Sequence, residues 1–343
     1  MKVQRIHAWG GPLSLDDVAR PVAGPGEILP KVQACGVGLT VLNCMRGDLG
    51  QRPQDLPRIP GHEIVGEVVA CGAGVDGWSP RDRAMVYFYL SCGDCTFCRQ
   101  GRESLCERFE GFVGVQRDGG YAEYVTVPAR NAILLPQGIG WAEATAIPDA
   151  IGTPYHICRQ RALVRPGRTV MVTGAGGGVG IHMVQMARKF GARVVGVDVG
   201  PEKLEAIRTQ GAQAFDARDP DLLPALRHWA DDRGVDVAVD FVGQEDTLAL
   251  GLQTIGRGGT LVTVTTFPGV SFPVTPRHLV LNEVSIVGSR YVGRQELEEA
   301  ARLVAAGEIH PVVSALRPLE RVEEIHELLT AGGLIGRGAT IPG

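Results

Sequence analysis

No stretch of this sequence runs to membrane-spanning length without glycine, proline or charge. The opening segment, MKVQRIHAWGGPLSL, lacks the apolar run of a secretory signal and alternates like an edge strand. There is no excess of basic residues: 34 Lys and Arg stand against 38 Asp and Glu, for a formal net charge of -4. That balance argues against a basic face for nucleic acid. Internal repeats and low-complexity tracts are absent as well. These absences lead to the expectation of a soluble cytoplasmic protein with neither a membrane nor a nucleic-acid partner.

What is present fits two domains. The chain has 343 residues, 44% apolar and 21% charged, enough to fill two cores. Its 47 glycines point to many tight turns and close backbone approaches. Up to about residue 150, short β-type runs such as GEILPKVQACGVG, HEIVGEVVACGAGV, RAMVYFYL and YAEYVTVP are broken by Gly and Pro, with no long helical period. This predicts an antiparallel, barrel-like domain. Beyond it the texture changes. RTVMVTG, ARVVGVDV, VDVAVDFVG and GGTLVTVTT alternate with amphipathic stretches such as VGIHMVQMARKFG and PEKLEAIRTQG. Such alternation predicts a parallel sheet with helices on both faces. Two further helical patterns, around RQELEEAARLVAAG and LERVEEIHELLTAG, precede the short ending GRGATIPG.

Eight cysteines occur, and four of them crowd together: Cys92, Cys95, Cys98 and Cys106, in the pattern C-x2-C-x2-C-x7-C. A compact loop with this spacing can wrap four thiolates around Zn²⁺ and leave no open coordination position. Such a site organises a loop that lacks a core of its own. The alternative, disulfides, suits neither the spacing nor a cytosolic chain.

The run GAGGGVG, Gly174 to Gly180, follows a predicted strand and opens a predicted helix. Gly174, Gly177 and Gly180 form G-x-x-G-x-x-G, with Gly178 and Val179 completing the turn. Glycine lets the backbone approach a pyrophosphate, and the helix N-terminus favours its charge. Asp198 closes the next strand, where its carboxylate can accept hydrogen bonds from both adenosine ribose hydroxyls and repel a 2′-phosphate. This favours NAD(H) over NADP(H). Lys203 lies close enough in sequence to reach the ribose, or to be a solvated helix charge.

Together these residues resemble the medium-chain dehydrogenase/reductase superfamily, in its zinc-containing alcohol dehydrogenase branch. The resemblance spans essentially the whole chain. It is carried by P-G-H-E at Pro60 to Glu63, the cysteine lobe, the run RDGGYAEYVTVP, the nucleotide loop and the ending GRGATIPG. It implies a GroES-like antiparallel β-barrel catalytic domain at 1–149 with its structural zinc lobe at 92–106. A Rossmann doubly wound NAD-binding domain follows at 150–289, and residues 290–343 return to complete the catalytic domain. It further implies an active site between the domains and a homodimer or homotetramer, with VSFPVTP suited to an edge strand.

A catalytic zinc held by two cysteines and one histidine belongs to the general description of this family. Here the run C-G-V-C-H-T-D reads Cys35-Gly36-Val37-Gly38-Leu39-Thr40-Val41. Gly38 stands at the ligand position and Val41 at the supporting aspartate. Thr40 matches the hydroxyl that exchanges a proton with the substrate oxygen, and Asn43 stands where several members carry a proton-relay histidine. His62 matches the histidine ligand and Glu63 its neighbouring carboxylate, while Asp149 replaces the second cysteine. Arg337 resembles the arginine that pairs with the cofactor pyrophosphate, and Phe88 falls at a substrate-pocket position. Two readings stay open. Either His62, Glu63 and Asp149 hold a catalytic zinc, or the site works without one.

The resemblance implies NAD-dependent hydride transfer between nicotinamide and the alcohol or carbonyl group of a small-molecule substrate. The loss of both thiolates keeps a second reading open, a zinc-independent reductase of an activated C=C bond. A third is a non-catalytic NAD(H)-binding protein.

Overall fold

The computed structural model of the protein describes every residue except Thr266 and Pro268. The chain forms two compact units. One comprises residues 1–152, 292–307 and 311–343; the other comprises 153–291 and 308–310.

The first unit is built on one long sheet. Its strands run in the order Val313–Pro318, Arg337–Ile341, Glu27–Val37, Glu63–Cys71, Arg83–Val86 and Ala132–Leu134, with Val127–Pro128 also pairing to Glu27–Val37. The first pair is parallel and the others are antiparallel. Alternation along Glu27–Val37 buries Ile28, Val32 and Ala34 completely. Ile28 and Val32 each contribute about 1.5–3 kcal/mol when fully removed from water, and the Ala34 methyl less.

Two predicted strand runs are shorter than their composition suggests. RAMVYFYL leaves the ladder after Val86, because the Asn131 side chain takes over as partner. Its amide donates to the carbonyls of Tyr87 and Tyr89 at 2.7 and 2.8 Å. YAEYVTVP pairs mostly through isolated bridges. It crosses two strands, since the Gln4 N–H donates to Tyr121 O and the Val32 N–H to Glu123 O. The eight-residue helix Leu39–Arg46 is an addition to the β-rich expectation. It ends at Gly47, which sits at φ 85°, a left-handed stop that suits glycine.

The second unit contains a parallel sheet ordered Gln213–Asp216, Arg193–Asp198, Thr169–Thr173, Val235–Asp240, Ile255–Thr263 and Ser285–Gly288. In chain order of these strands this is 3-2-1-4-5-6, the doubly wound arrangement. Val170, Met171 and Val172 are all fully buried, as expected for strands covered on both faces. The run GGTLVTVTT leaves the sheet after Thr263, and its last residue, Thr266, lies outside the described residues. The helix Gly180–Lys189 follows the first of these strands directly after the glycine turn.

Candidate functional site

The four clustered cysteines converge. Cys106 Sγ lies 3.5 Å from Cys92 Sγ and 4.0 Å from Cys95 Sγ, and Cys92 Sγ lies 3.9 Å from Cys98 Sγ. Sulfurs arranged tetrahedrally on an ion at roughly 2.3 Å stand about 3.8 Å apart, so the set fits zinc. None of the four is in a disulfide. Backbone N–H groups of Cys98 and Glu107 point at Cys95 and bring its thiol down to about 6, while burial holds the Cys98 thiol up at about 12, so one sulfur of the cluster is readily a thiolate without an ion and another needs the ion's charge.

A second cluster forms from residues far apart in sequence. His62 and Glu63 enter at the start of strand Glu63–Cys71, while Asp149 sits on the π-helical turn Ile147–Ile151. The P-G-H-E turn depends on glycines for close approach. A side chain at Gly119 would place its Cβ 2.1 Å from Gly61 O. Gly61 itself sits at φ +97° against the Tyr121 ring. The N–H groups of Gly119, Gly120 and Tyr121 donate to the carbonyls of Ile59, Gly61 and Pro60, so RDGGYAEY holds the histidine turn in place.

His62 Nε2 lies 3.6 Å from Glu63 Oε1 and 3.9 Å from Asp149 Oδ2. Nitrogen and oxygen ligands at about 2.1 Å from a tetrahedral ion stand roughly 3.4 Å apart. The nitrogen is buried without a hydrogen-bond partner among the described residues, and an orphaned buried donor or acceptor is costly unless something occupies its face. One nitrogen and two carboxylate oxygens therefore fit a divalent cation. Burial pushes the Glu63 carboxyl up to about 7, against the pull of Arg337 and His62.

Arg337, expected at the cofactor pyrophosphate, is 5% exposed. Its Nη2 lies 2.7 Å from Glu63 Oε1 and 2.6 Å from Asp149 Oδ2. Its guanidinium fills the space beside Gly38: a Cβ there would meet Nη1 at 2.1 Å. Where the resemblance places a thiolate, the protein has a guanidinium. Gly36 makes room in the same way for Glu63, whose Oε2 would stand 2.1 Å from an added Cβ.

Behind the histidine turn, the Tyr121 hydroxyl and His326 Nε2 are hydrogen-bonded at 3.0 Å. Nothing in the local sequence marks this pair, because 205 positions separate the two residues. Burial lowers His326 from 6.5 to about 4. Between those values the unfolded chain binds the extra proton. The neutral histidine's contribution is therefore complete above pH 6.5 and is lost as pH falls to about 4. Denaturant titrations of the protein beside His326→Gln should show the wild-type chain losing on the order of 3 kcal/mol more across that window. Parallel curves would mean that His326 is protonated in the fold.

Thr40 and Asn43 both lie on helix Leu39–Arg46, immediately after Gly38. The Asn43 side-chain oxygen accepts a hydrogen bond from Arg46. The ring of Phe88 meets the His62 imidazole edge-on, with centroids 4.5 Å apart, so it packs directly against the cluster.

In the second unit, Gly174 sits at φ +68°, open to glycine at little cost. A Cβ on Gly180 would lie 2.0 Å from Gly174 O, so the helix can start this close to the turn only with glycine there. Gly177, Gly178 and Val179 are half-buried between them. Asp198 is buried at the end of its strand. Its Oδ2 accepts from the Gly176 N–H and its Oδ1 from the Val199 N–H, both at 2.8 Å. Lys203 Nζ is 3.7 Å from Asp198 Oδ1. The acid, the lysine and the glycine turn are thus one assembly.

A barrel unit bearing a four-thiol lobe, with a doubly wound unit whose glycine turn is tied to a strand-end acid, defines a two-domain dehydrogenase. Family comparison agrees. Residues 24–137 match the alcohol dehydrogenase GroES-like domain and residues 178–306 the zinc-binding dehydrogenase family. An alcohol dehydrogenase of Geobacillus stearothermophilus is 34% identical, with 98% of each chain covered. An acryloyl-coenzyme A reductase of Metallosphaera sedula is 31% identical over 94% of each. A solved NAD-dependent alcohol dehydrogenase superimposes with a TM-score of 0.92 at 30% identity, covering 100% of both chains. The chain belongs to the zinc-containing alcohol dehydrogenase branch of the medium-chain dehydrogenase/reductase superfamily.

Proposed function

We propose that this protein is an NAD(H)-dependent oxidoreductase that moves hydride between nicotinamide and the carbinol or carbonyl carbon of a small-molecule substrate. The observation that carries the chemistry is the orphaned His62 Nε2 facing two carboxylates at 3.6 and 3.9 Å. His62, Glu63 and Asp149 would hold a divalent ion, and the cysteine lobe a structural zinc. When bound, the catalytic ion supplies Lewis-acid polarisation of the substrate oxygen, and bound nicotinamide supplies or accepts the hydride. The chain's own residues do the rest. Asp198, with Lys203, fixes the adenosine ribose, and the glycine turn accepts the pyrophosphate at the helix N-terminus. Thr40 relays the hydroxyl proton during oxidation, giving its own O–H proton to solvent water as it accepts the substrate's, and the relay runs in reverse during reduction, with Asn43 beside it on the same helix. Phe88 packs on the imidazole, fixes its orientation and lines the pocket.

The test is NAD reduction across a panel of alcohols, with zinc added back to chelator-washed protein. Turnover that rises with a second zinc per chain supports the reading, and a panel without any turnover sinks it. A second reading, hydride addition to an activated C=C bond, is favoured by the guanidinium at Gly38 and by the likeness to an acryloyl-coenzyme A reductase. NADH oxidation by a conjugated enone or thioester, independent of added metal, would select it. The non-catalytic reading has no comparable support.

Asp198→Ala should weaken NAD binding by about tenfold or more, the loss of two ribose hydrogen bonds. It should also relax discrimination against NADP. KM values for both nucleotides check this, and an unchanged ratio removes Asp198 from the ribose site.

The chain is proposed to assemble as a homodimer or homotetramer; VSFPVTP, expected as the edge strand, forms no strand, its last proline opening the helix Pro276–Asn282, and the edge of the sheet is Ser285–Gly288 instead. A cytoplasmic location is proposed from cysteines that form no disulfide. No described helix is long and apolar enough to cross a membrane.

A further inference from the structure

The atoms that would hold the ion are already held. Glu63 Oε1 and Asp149 Oδ2 are the oxygens that face His62 Nε2, at 3.6 and 3.9 Å. They are also the two oxygens on Arg337 Nη2, at 2.7 and 2.6 Å. One guanidinium nitrogen thus bridges the same two carboxylate oxygens that face His62. Arg337 is buried, and its strand Arg337–Ile341 is locked between Val313–Pro318 and Glu27–Val37.

The space it fills is prepared for it. Gly38 has φ -135° and ψ 176°, extended backbone that any residue adopts. Conformation therefore does not call for glycine at this position. Room does: an added Cβ would stand 2.1 Å from Nη1 and 2.8 Å from Cζ of Arg337. Gly36, two residues earlier on the same face, clears the Glu63 carboxylate in the same way. Two glycines thus make a cradle for a carboxylate–guanidinium pair.

We propose that Arg337 is an internal competitor for the metal centre. It neutralises Glu63 and Asp149 while the centre is empty, and must yield their oxygens when a divalent ion joins His62. This rests on the reading of His62, Glu63 and Asp149 as metal ligands. The consequence is a centre that takes its ion weakly and exchangeably, because two cations divide two carboxylates. Fixed positive charge a few ångströms from a dication in a buried site opposes binding strongly. At the cysteine lobe the nearby guanidinium, Arg108, is exposed and touches one sulfur of four, Cys92 Sγ at 3.5 Å, so it competes far less with an ion there.

The test measures the affinity of the second zinc site on the full-length chain. A chromophoric chelator competes for zinc after the lobe has been filled and counted. Arg337→Gln keeps amide donors but removes the charge, and should tighten the second site by about tenfold or more. Arg337→Lys keeps the charge and should remain near the wild-type value. Second-site binding that is unchanged or weaker in Arg337→Gln overturns the competition. If no variant binds more than the lobe's zinc, the metal reading of the cluster falls, and the competition with it.

Should Arg337→Gln not accumulate as folded protein, Gly38→Ala asks the same question from the opposite side. Its methyl group pushes the guanidinium off the carboxylates. Second-site affinity should rise by a similar factor, while thermal stability falls. Unaltered or weaker second-site affinity in folded Gly38→Ala overturns the proposal.

Discussion

Cys95→Ser should yield a chain with one zinc fewer and a markedly lower melting temperature. The lobe's own buried cluster consists of Cys95, Cys98 and Cys106, with Cys92, Phe97 and Phe109 packed beside them. It has no aliphatic core to fall back on. The Cys92 N–H points at Cys106 Sγ and the Cys95 N–H at Cys92 Sγ, at 3.2 and 3.4 Å, so the backbone is folded around the sulfurs. Serine preserves size and removes the thiolate, and with it most of the affinity of a four-sulfur site. The damage should extend beyond the lobe. Glu103, between the third and fourth cysteines, accepts from the Arg294 N–H at 3.2 Å, at the start of helix Arg294–Ala305. We expect a stability loss of about 3 kcal/mol or more, on the scale of removing a structural cross-link from a small lobe. Zinc per chain and thermal melts with and without chelator measure it. An unaltered zinc count would remove the lobe from the list of metal sites.

His62→Ala should lower kcat/KM by about a thousandfold, roughly 4 kcal/mol of lost transition-state stabilisation. His62 supplies the nitrogen ligand atom of the cluster, beside the carboxylate oxygens of Glu63 and Asp149. Without it Glu63 and Asp149 face Arg337 alone, an arrangement with a cation but no open coordination position. Nucleotide affinity should hold, because the glycine turn, Asp198 and Lys203 form a self-contained assembly within the second unit. Steady-state kinetics beside a fluorescence titration with NADH separate the two. Activity within a few-fold of wild type would take His62 out of the chemistry, and a parallel loss of NADH affinity would assign it to the cofactor.

Legibility tracked sequence distance. The cysteine lobe lies within fifteen consecutive residues, and the nucleotide loop and its acid within one strand–turn–helix–strand unit. Spacing alone carries the geometry over such a span. The absence of a thiol at Gly38 was also visible, but what fills its place was not. Arg337 lies 188 positions from Asp149 and farther still from Gly38. Two glycines flanking an arginine in a terminal strand carry no local mark of a buried ion pair. The shortened run after Val86 escaped for a related reason: its composition is strand-like, yet the Asn131 amide replaces the neighbouring strand.

By itself the sequence determined that there would be a turn-rich β part and a strand–helix part, and it named a metal lobe, a dinucleotide turn and the residues offered for chemistry. These depend on periodicity and short spacings, which the backbone converts into geometry at close range. Only the tertiary structure decided that His62, Glu63 and Asp149 converge within 4.8 Å, and that Arg337 bridges the two carboxylates. Burial makes those charges interact strongly, and burial is a property of the packed chain rather than of any segment of it.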